Sequence, residues 1–115
     1  MTIDASSPLA PMTLLFRIEP GCLGPDGRQH IETFCKLAEQ VYLRHPLTGV
    51  QFEFVPRYDK QLPEREFLLG ERTLNREQAV RLMEHYGHEL PRIEAQLDDT
   101  LSRLITHYTD AGMPE

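Results

Sequence analysis

An apolar stripe at helical spacing runs through residues 28–44, and it constrains the fold more than any other feature of the chain. Its members recur at intervals of three and four: Ile31, Phe34, Cys35, Ala38, Val41 and Tyr42. This spacing places them on one face of an α-helix, and that face must be buried against another element. Asp26 or Gly27 is suited to cap the start of the helix, and Pro46 ends it.

Three segments with a two-residue period predict β-strands, at residues 13–18, 50–55 and 65–70. Alternate side chains of a strand point to opposite faces of its sheet. The apolar residues expected on the inner face are Leu14, Phe16, Ile18, Val50, Phe52, Phe54, Phe67 and Leu69.

Two further helices are predicted in the C-terminal half. The stretch TLNREQAVRLMEHYG has Asn75 as a helix N-cap, with Gln78 placed to complete a capping box. Gly87 is a suitable residue just beyond the end of that helix. A last helix is predicted from Leu90 to Tyr108.

The resulting order, β-α-β-β-α-α, predicts an α+β fold in which a three-stranded, mainly antiparallel sheet packs with three helices. We expect a single domain over residues 12–115, preceded by a flexible N-terminal tail over residues 1–11. The apolar stripe of the last helix is spaced almost like a coiled-coil seam. We therefore expect this helix either to be buried in the core of its own chain or to pair with its copy in a homodimer.

Charge and composition narrow the classes of partner. The formal net charge is −6, which repels phosphate backbones, so we expect no nucleic-acid binding. No apolar run approaches the roughly 20 residues that a membrane helix needs, so we expect no membrane role. The N-terminus lacks the pattern of a secretory signal, and this absence favours a cytoplasmic protein. An acidic surface suits a basic protein partner, and the stripe of the last helix allows self-association.

Motifs for nucleophilic catalysis and for phosphate binding do not occur in the sequence. Neither G-x-S-x-G nor a GK[ST] loop is present. The sequence therefore favours a protein without a cofactor and leans away from an enzyme, and it identifies no catalytic residue.

The connector FVPRYDKQLPERE between the second and third strands is the first candidate site. Arg57, Tyr58, Asp59 and Lys60 combine charge with an aromatic ring, and Tyr and Arg are enriched at binding hot spots. Prolines at both ends stiffen this loop. The leading hypothesis is thus a small regulatory or adaptor domain that binds protein through this loop. The alternative is that these residues only shape a polar hairpin.

Two other hypotheses rest on different residues. A small-molecule-binding protein or an enzyme would use a pocket between sheet and helices, with Arg17, His30 and Glu53 as its polar groups. A metal-binding protein would use His85 and His88, which are three residues apart. Because Gly87 is expected to end the helix between them, we assign no metal ligand.

Overall fold

Four strands and three helices make up the described part of the chain, which comprises residues 11–44 and 46–110 of a computed structural model. The predicted tail, residues 1–11, lies almost entirely outside this part. In chain order the elements are β1 (Met12–Ile18), α1 (Gly27–Leu43), β2 (Val50–Pro56), β3 (Arg65–Leu69), β4 (Arg72–Leu74), α2 (Arg76–His85) and α3 (Leu90–Asp110). A short 3₁₀ turn at Pro20–Leu23 joins β1 to α1. The predicted α+β class is confirmed.

The sheet corrects the predicted topology. Its strand order is β2-β1-β3-β4, so it has four strands rather than three. β1 pairs with β2 in parallel and with β3 antiparallel, and β3 pairs antiparallel with β4. The prediction of a mainly antiparallel sheet was wrong because α1 acts as a crossover. A helix between two neighbouring strands returns the chain to its starting end and makes those strands parallel.

Strand β4 is the element that the sequence prediction missed. It pairs through Phe67 with Leu74 and through Leu69 with Arg72, which leaves a two-residue loop between β3 and β4. Gly70 takes φ of 62° in this loop, and glycine is favoured at positive φ in such hairpins. Thr73 and Leu74, which directly precede the predicted N-cap Asn75, therefore end a strand.

The three helices lie close to their predicted positions. The capping box of α2 is confirmed, because Asn75 Oδ1 accepts from the Gln78 amide at 2.8 Å and Gln78 Oε1 accepts from the Asn75 amide at 2.9 Å. Gly87 follows α2 with φ of 85°, as expected for a residue that ends a helix. These local signals determine where α2 begins and ends.

Helices α1 and α3 pack on the same face of the sheet, the one that carries the predicted inner residues. Tyr42 of α1 lies 5.4 Å from the Phe54 ring of β2, and Phe34 of α1 lies 5.4 Å from the Tyr108 ring of α3. Within the stripe of α3, Leu90, Leu97, Leu101 and Tyr108 are buried, and Ile93, Leu104 and Ile105 are partly buried against the same core. The last helix thus uses its apolar stripe in the core of its own chain.

A cluster of charged groups ties α3 to the rest of the fold. Glu94 stands within the apolar stripe of α3 and is 7% exposed. It accepts hydrogen bonds from Arg65 Nη1 at 3.1 Å and from Arg76 Nη2 at 2.6 Å. Arg65 also donates to Asp98 at 2.5 Å and lies 5.2 Å from the centre of the Phe16 ring. This cluster connects β3, the start of α2 and α3.

Replacing Glu94 with glutamine is expected to lower the free energy of unfolding by about 1–3 kcal/mol, because two arginines lose their shared carboxylate. Asp99→Asn is the matched control: it breaks only an exposed pair with Arg103, worth less than about 0.5 kcal/mol. Urea unfolding near neutral pH measures both values. Equal losses in the two variants would contradict the role of Glu94.

The ionisation of Glu94 makes the stability of the fold depend on pH. Hydrogen bonding from Arg76 lowers the pKa of Glu94 below its ordinary value of 4.5, against the opposing effect of burial, and Arg65 lowers it further. A lowered folded-state pKa gives stability that is present above pH 4.5 and is lost as the pH falls through that lower value. The Tm of the native protein should therefore fall more steeply in acid than that of Glu94→Gln. Parallel Tm curves for the two proteins would refute this.

Candidate functional site

The connector between β2 and β3 is held together by Arg57. Its Nη1 donates to Glu19 at 3.2 Å, in the segment that follows β1. Its Nη2 donates to the carbonyls of Lys60 at 3.2 Å and Leu62 at 3.1 Å. The guanidinium thus closes the connector on itself and fixes it to the end of β1.

The neighbouring connector residues also make internal contacts. The Tyr58 hydroxyl donates to Glu32 at 3.2 Å, and Arg28 lies 5.5 Å from the centre of its ring. Asp59 Oδ1 accepts from the Gln61 amide at 2.9 Å, which forms a tight turn. Lys60 is exposed. These contacts order the loop, and its role in binding stays a prediction.

The predicted pocket residues lie on different sides of the sheet. Arg17 projects from the face opposite the helices, where it pairs with Glu66 and donates to the Pro63 carbonyl at 2.7 Å. Glu53 projects from the same face of β2 and is exposed. His30 belongs to α1 and lies 6.3 Å from the Tyr108 ring. The structure does not bring Arg17, His30 and Glu53 into one pocket.

The two histidines considered as metal ligands, His85 and His88, lie in different surroundings. His85 is exposed in the last turn of α2. His88 follows Gly87, and its Nε2 lies 3.0 Å from the Thr48 carbonyl, which accepts its hydrogen bond. Within the described ranges, no three His, Cys, Asp or Glu side chains are placed to share a metal ion.

Strand β2 forms one edge of the sheet and presents half of its backbone groups outward. The Met12 amide bonds to the Gly49 carbonyl at 2.9 Å, and the Arg57 amide bonds to the Ile18 carbonyl at 2.8 Å. The backbone groups of the odd-numbered residues from 49 to 57 therefore point toward β1 and bond to it. In a ladder the bonding direction alternates, so Val50, Phe52 and Phe54 direct their amides and carbonyls away from the sheet. We call these outward groups the β2 edge.

Most of the outward backbone positions of β2 have no free amide hydrogen. The Val50 amide donates to the Leu47 carbonyl at 3.1 Å. The Phe54 amide donates to Glu39 Oε2 at 3.1 Å, and Pro56 has no amide hydrogen. Phe52, in the middle, has no such partner among residues 11–44 and 46–110. The edge is thus protected at its ends and open at its centre.

A cleft of about 430 Å³ wraps around the β2 edge. We call it the edge cleft; it is lined by Glu39, Tyr42, Leu43, Pro46, Val50, Gln51, Phe52 and Glu53. Even-numbered and odd-numbered residues of β2 both line it, so the cleft reaches both faces of the strand. Leu43 stands at its rim with 77% of its surface exposed. The cleft therefore combines unpaired backbone with apolar side chains.

A second cleft, of about 290 Å³, lies between α1 and α3 and shares Tyr42 and Phe52 with the edge cleft. We call it the interhelical cleft; its other lining residues are Val41, Leu47, Ile93, Gln96, Leu97, Asp99 and Thr100. The rings of Tyr42 and Phe52 are 4.6 Å apart and form the wall between the two clefts. Burial raises the pKa of Tyr42, against the opposing effect of Thr100 beside its hydroxyl.

All charged residues that line these two clefts are acidic: Glu39, Glu53 and Asp99. Asp99 pairs with Arg103 at 3.0 Å. Glu39 and Glu53 form no ion pair with any residue that the structure describes. The surface around the β2 edge is thus apolar at its centre and negative at its margins.

A third cleft, of about 220 Å³, lies beside α3 and the 3₁₀ turn. Its acidic residues include Glu19 and Asp98, which already pair with Arg57 and Arg65. This cleft is therefore a weaker candidate than the surface around β2.

Comparison of the chain with protein-family models, with curated proteins and with solved structures gives no significant match. In the part of the chain described here, no helix combines the length and the apolar composition needed to cross a lipid bilayer.

Arg57→Ala is expected to loosen the connector, because one guanidinium supplies the bonds to Glu19, Lys60 and Leu62. The amides of Gln61 and Leu62 should then exchange with solvent roughly tenfold faster, as the loss of a local hydrogen-bond cluster implies. Lys60→Ala, which removes an exposed side chain, is the control. Unchanged exchange in Arg57→Ala would show that other contacts hold the loop.

Proposed function

We propose that this protein is a protein-binding domain that receives an extended segment of its partner at the β2 edge. The observation that carries the proposal is the edge cleft, which surrounds an edge strand whose central residue, Phe52, offers both backbone groups outward. An added strand would gain main-chain hydrogen bonds there, and the clefts on either side would receive its side chains.

The pattern of protection along β2 supports a bounded binding site. Natural edge strands are usually blocked against indiscriminate pairing by charges, prolines or bulges. Here the Glu39 carboxylate accepts the hydrogen bond of the Phe54 amide, and Pro56, the next outward residue, has no amide hydrogen to donate. Only the stretch around Phe52 stays available, which limits the length of strand that can pair.

A second candidate surface for binding protein is the connector. Tyr58 is 49% exposed and Leu62 is 43% exposed, and together with Leu43 they are the large apolar side chains most exposed among the described residues. None of the three clefts described above includes Tyr58 or Leu62. We therefore favour the β2 edge and propose a regulatory or adaptor role in the cytoplasm.

Small-molecule binding is supported less well. The edge cleft has a volume within the usual range for ligand pockets. However, Arg17 and His30 do not line it, so the polar groups expected to orient a ligand do not converge.

Photo-cross-linking distinguishes the two protein-binding surfaces. A photoreactive phenylalanine analogue is placed at Leu43, at Leu62 or at the exposed control position Glu84, and cells that naturally make the protein are irradiated. We expect one dominant protein adduct from Leu43 that is absent from Glu84, because the partner strand would lie beside α1. An adduct from Leu62 alone would assign binding to the connector instead, and equal adducts from all positions would contradict both assignments.

A further inference from the structure

Resting on the proposed function, we infer that the partner segment is a basic strand in which apolar and cationic side chains alternate. An added strand would meet two different surfaces, and these surfaces determine which side chains it can carry.

The geometry of β2 sets the alternation. Side chains of a strand placed beside β2 would point in turn to the two faces of the sheet. On the inner face they would meet the rings of Tyr42 and Phe52, and on the outer face they would meet Gln51 and Glu53. Every second residue of the partner would therefore be apolar, and those between them would lie against polar and acidic groups.

Charge complementarity identifies the residues between the apolar ones as Lys or Arg. Glu53 is exposed on the outer face, and no Lys or Arg lines the edge cleft. Opposite charges on neighbouring strands attract, and like charges repel.

The same charges argue against other occupants from this chain. A second copy that paired through its own β2 edge would bring two copies of Glu39 and of Glu53 together, which is unfavourable. Residues 1–10 contain Asp4 and no Lys or Arg, so this segment lacks the complementary charge. A basic segment from another protein fits the surface better than either.

Three labelled peptides test the inference, each with roughly nine residues, enough to span a typical strand. All have Val at alternate positions; the intervening residues are Lys in the first, Thr in the second and Glu in the third. Fluorescence anisotropy at low salt should give the Lys peptide about tenfold higher affinity than the Thr peptide, with the Glu peptide weakest. At about 0.5 M salt the differences should shrink, because exposed charges are screened.

Charge reversal at Glu53 supplies the matched test of position. Glu53→Lys should weaken binding of the Lys peptide and strengthen binding of the Glu peptide. Glu84→Lys changes the net charge equally but lies on α2, and it should leave the order of the peptides unchanged. Circular dichroism confirms that both variants fold.

The outcomes separate this inference from the proposed function. Equal affinity for the Lys and Thr peptides would overturn the basic partner while leaving an edge that binds strands. If no peptide binds but Leu43 still gives a specific adduct, only the proposed chemistry of the partner strand is overturned. If the Leu43 adduct is also absent, the proposed function is overturned as well. A dimer that is lost in Leu43→Asp would assign the edge to a second copy and would also overturn the inference.

Discussion

The packing of α1 across the inner face of β1 and β2 determines the arrangement of the remaining elements. Phe34 of α1 is fully buried, and Tyr42 lies against Phe54 of β2. Because α1 links β1 to β2 as a crossover, the two strands are parallel neighbours. β3 then pairs with the other side of β1, and β2 is left as the edge of the sheet. The candidate site is a direct consequence of this connection.

The cluster around Glu94 serves a different purpose from the apolar core. A buried carboxylate shared by two arginines gives little net stability compared with well-packed apolar residues, but it requires a particular geometry. Arg65 comes from β3 and Arg76 from the start of α2, and both meet Glu94 on α3. The cluster therefore specifies how α3 is oriented on the sheet. That orientation in turn forms one wall of the interhelical cleft.

Local sequence patterns predicted the helices, the capping box and the inner face of the strands, because these features depend on residues a few positions apart. The parallel pairing and β4 were not predicted, since they depend on which strands meet in space. The connector illustrates the same limit: Arg57 was identified as a binding residue, yet it bonds to Glu19, which is 38 positions away. The β2 edge escaped prediction because nothing within VQFEFV shows that β2 has only one neighbour among the strands that the structure describes. Leu43, an apolar residue outside the stripe of α1, is the local signal that could have indicated it.

The proposed function depends on pairing between the outward backbone of β2 and a partner strand. The most direct measurement is the hydrogen exchange of individual amides by NMR, with and without the bound peptide in which Val and Lys alternate. We expect the Phe52 amide to become strongly protected, because its outward N–H gains an acceptor, while the Leu62 amide is unchanged. Unaltered exchange at Phe52 under conditions where the peptide is bound would contradict this pairing.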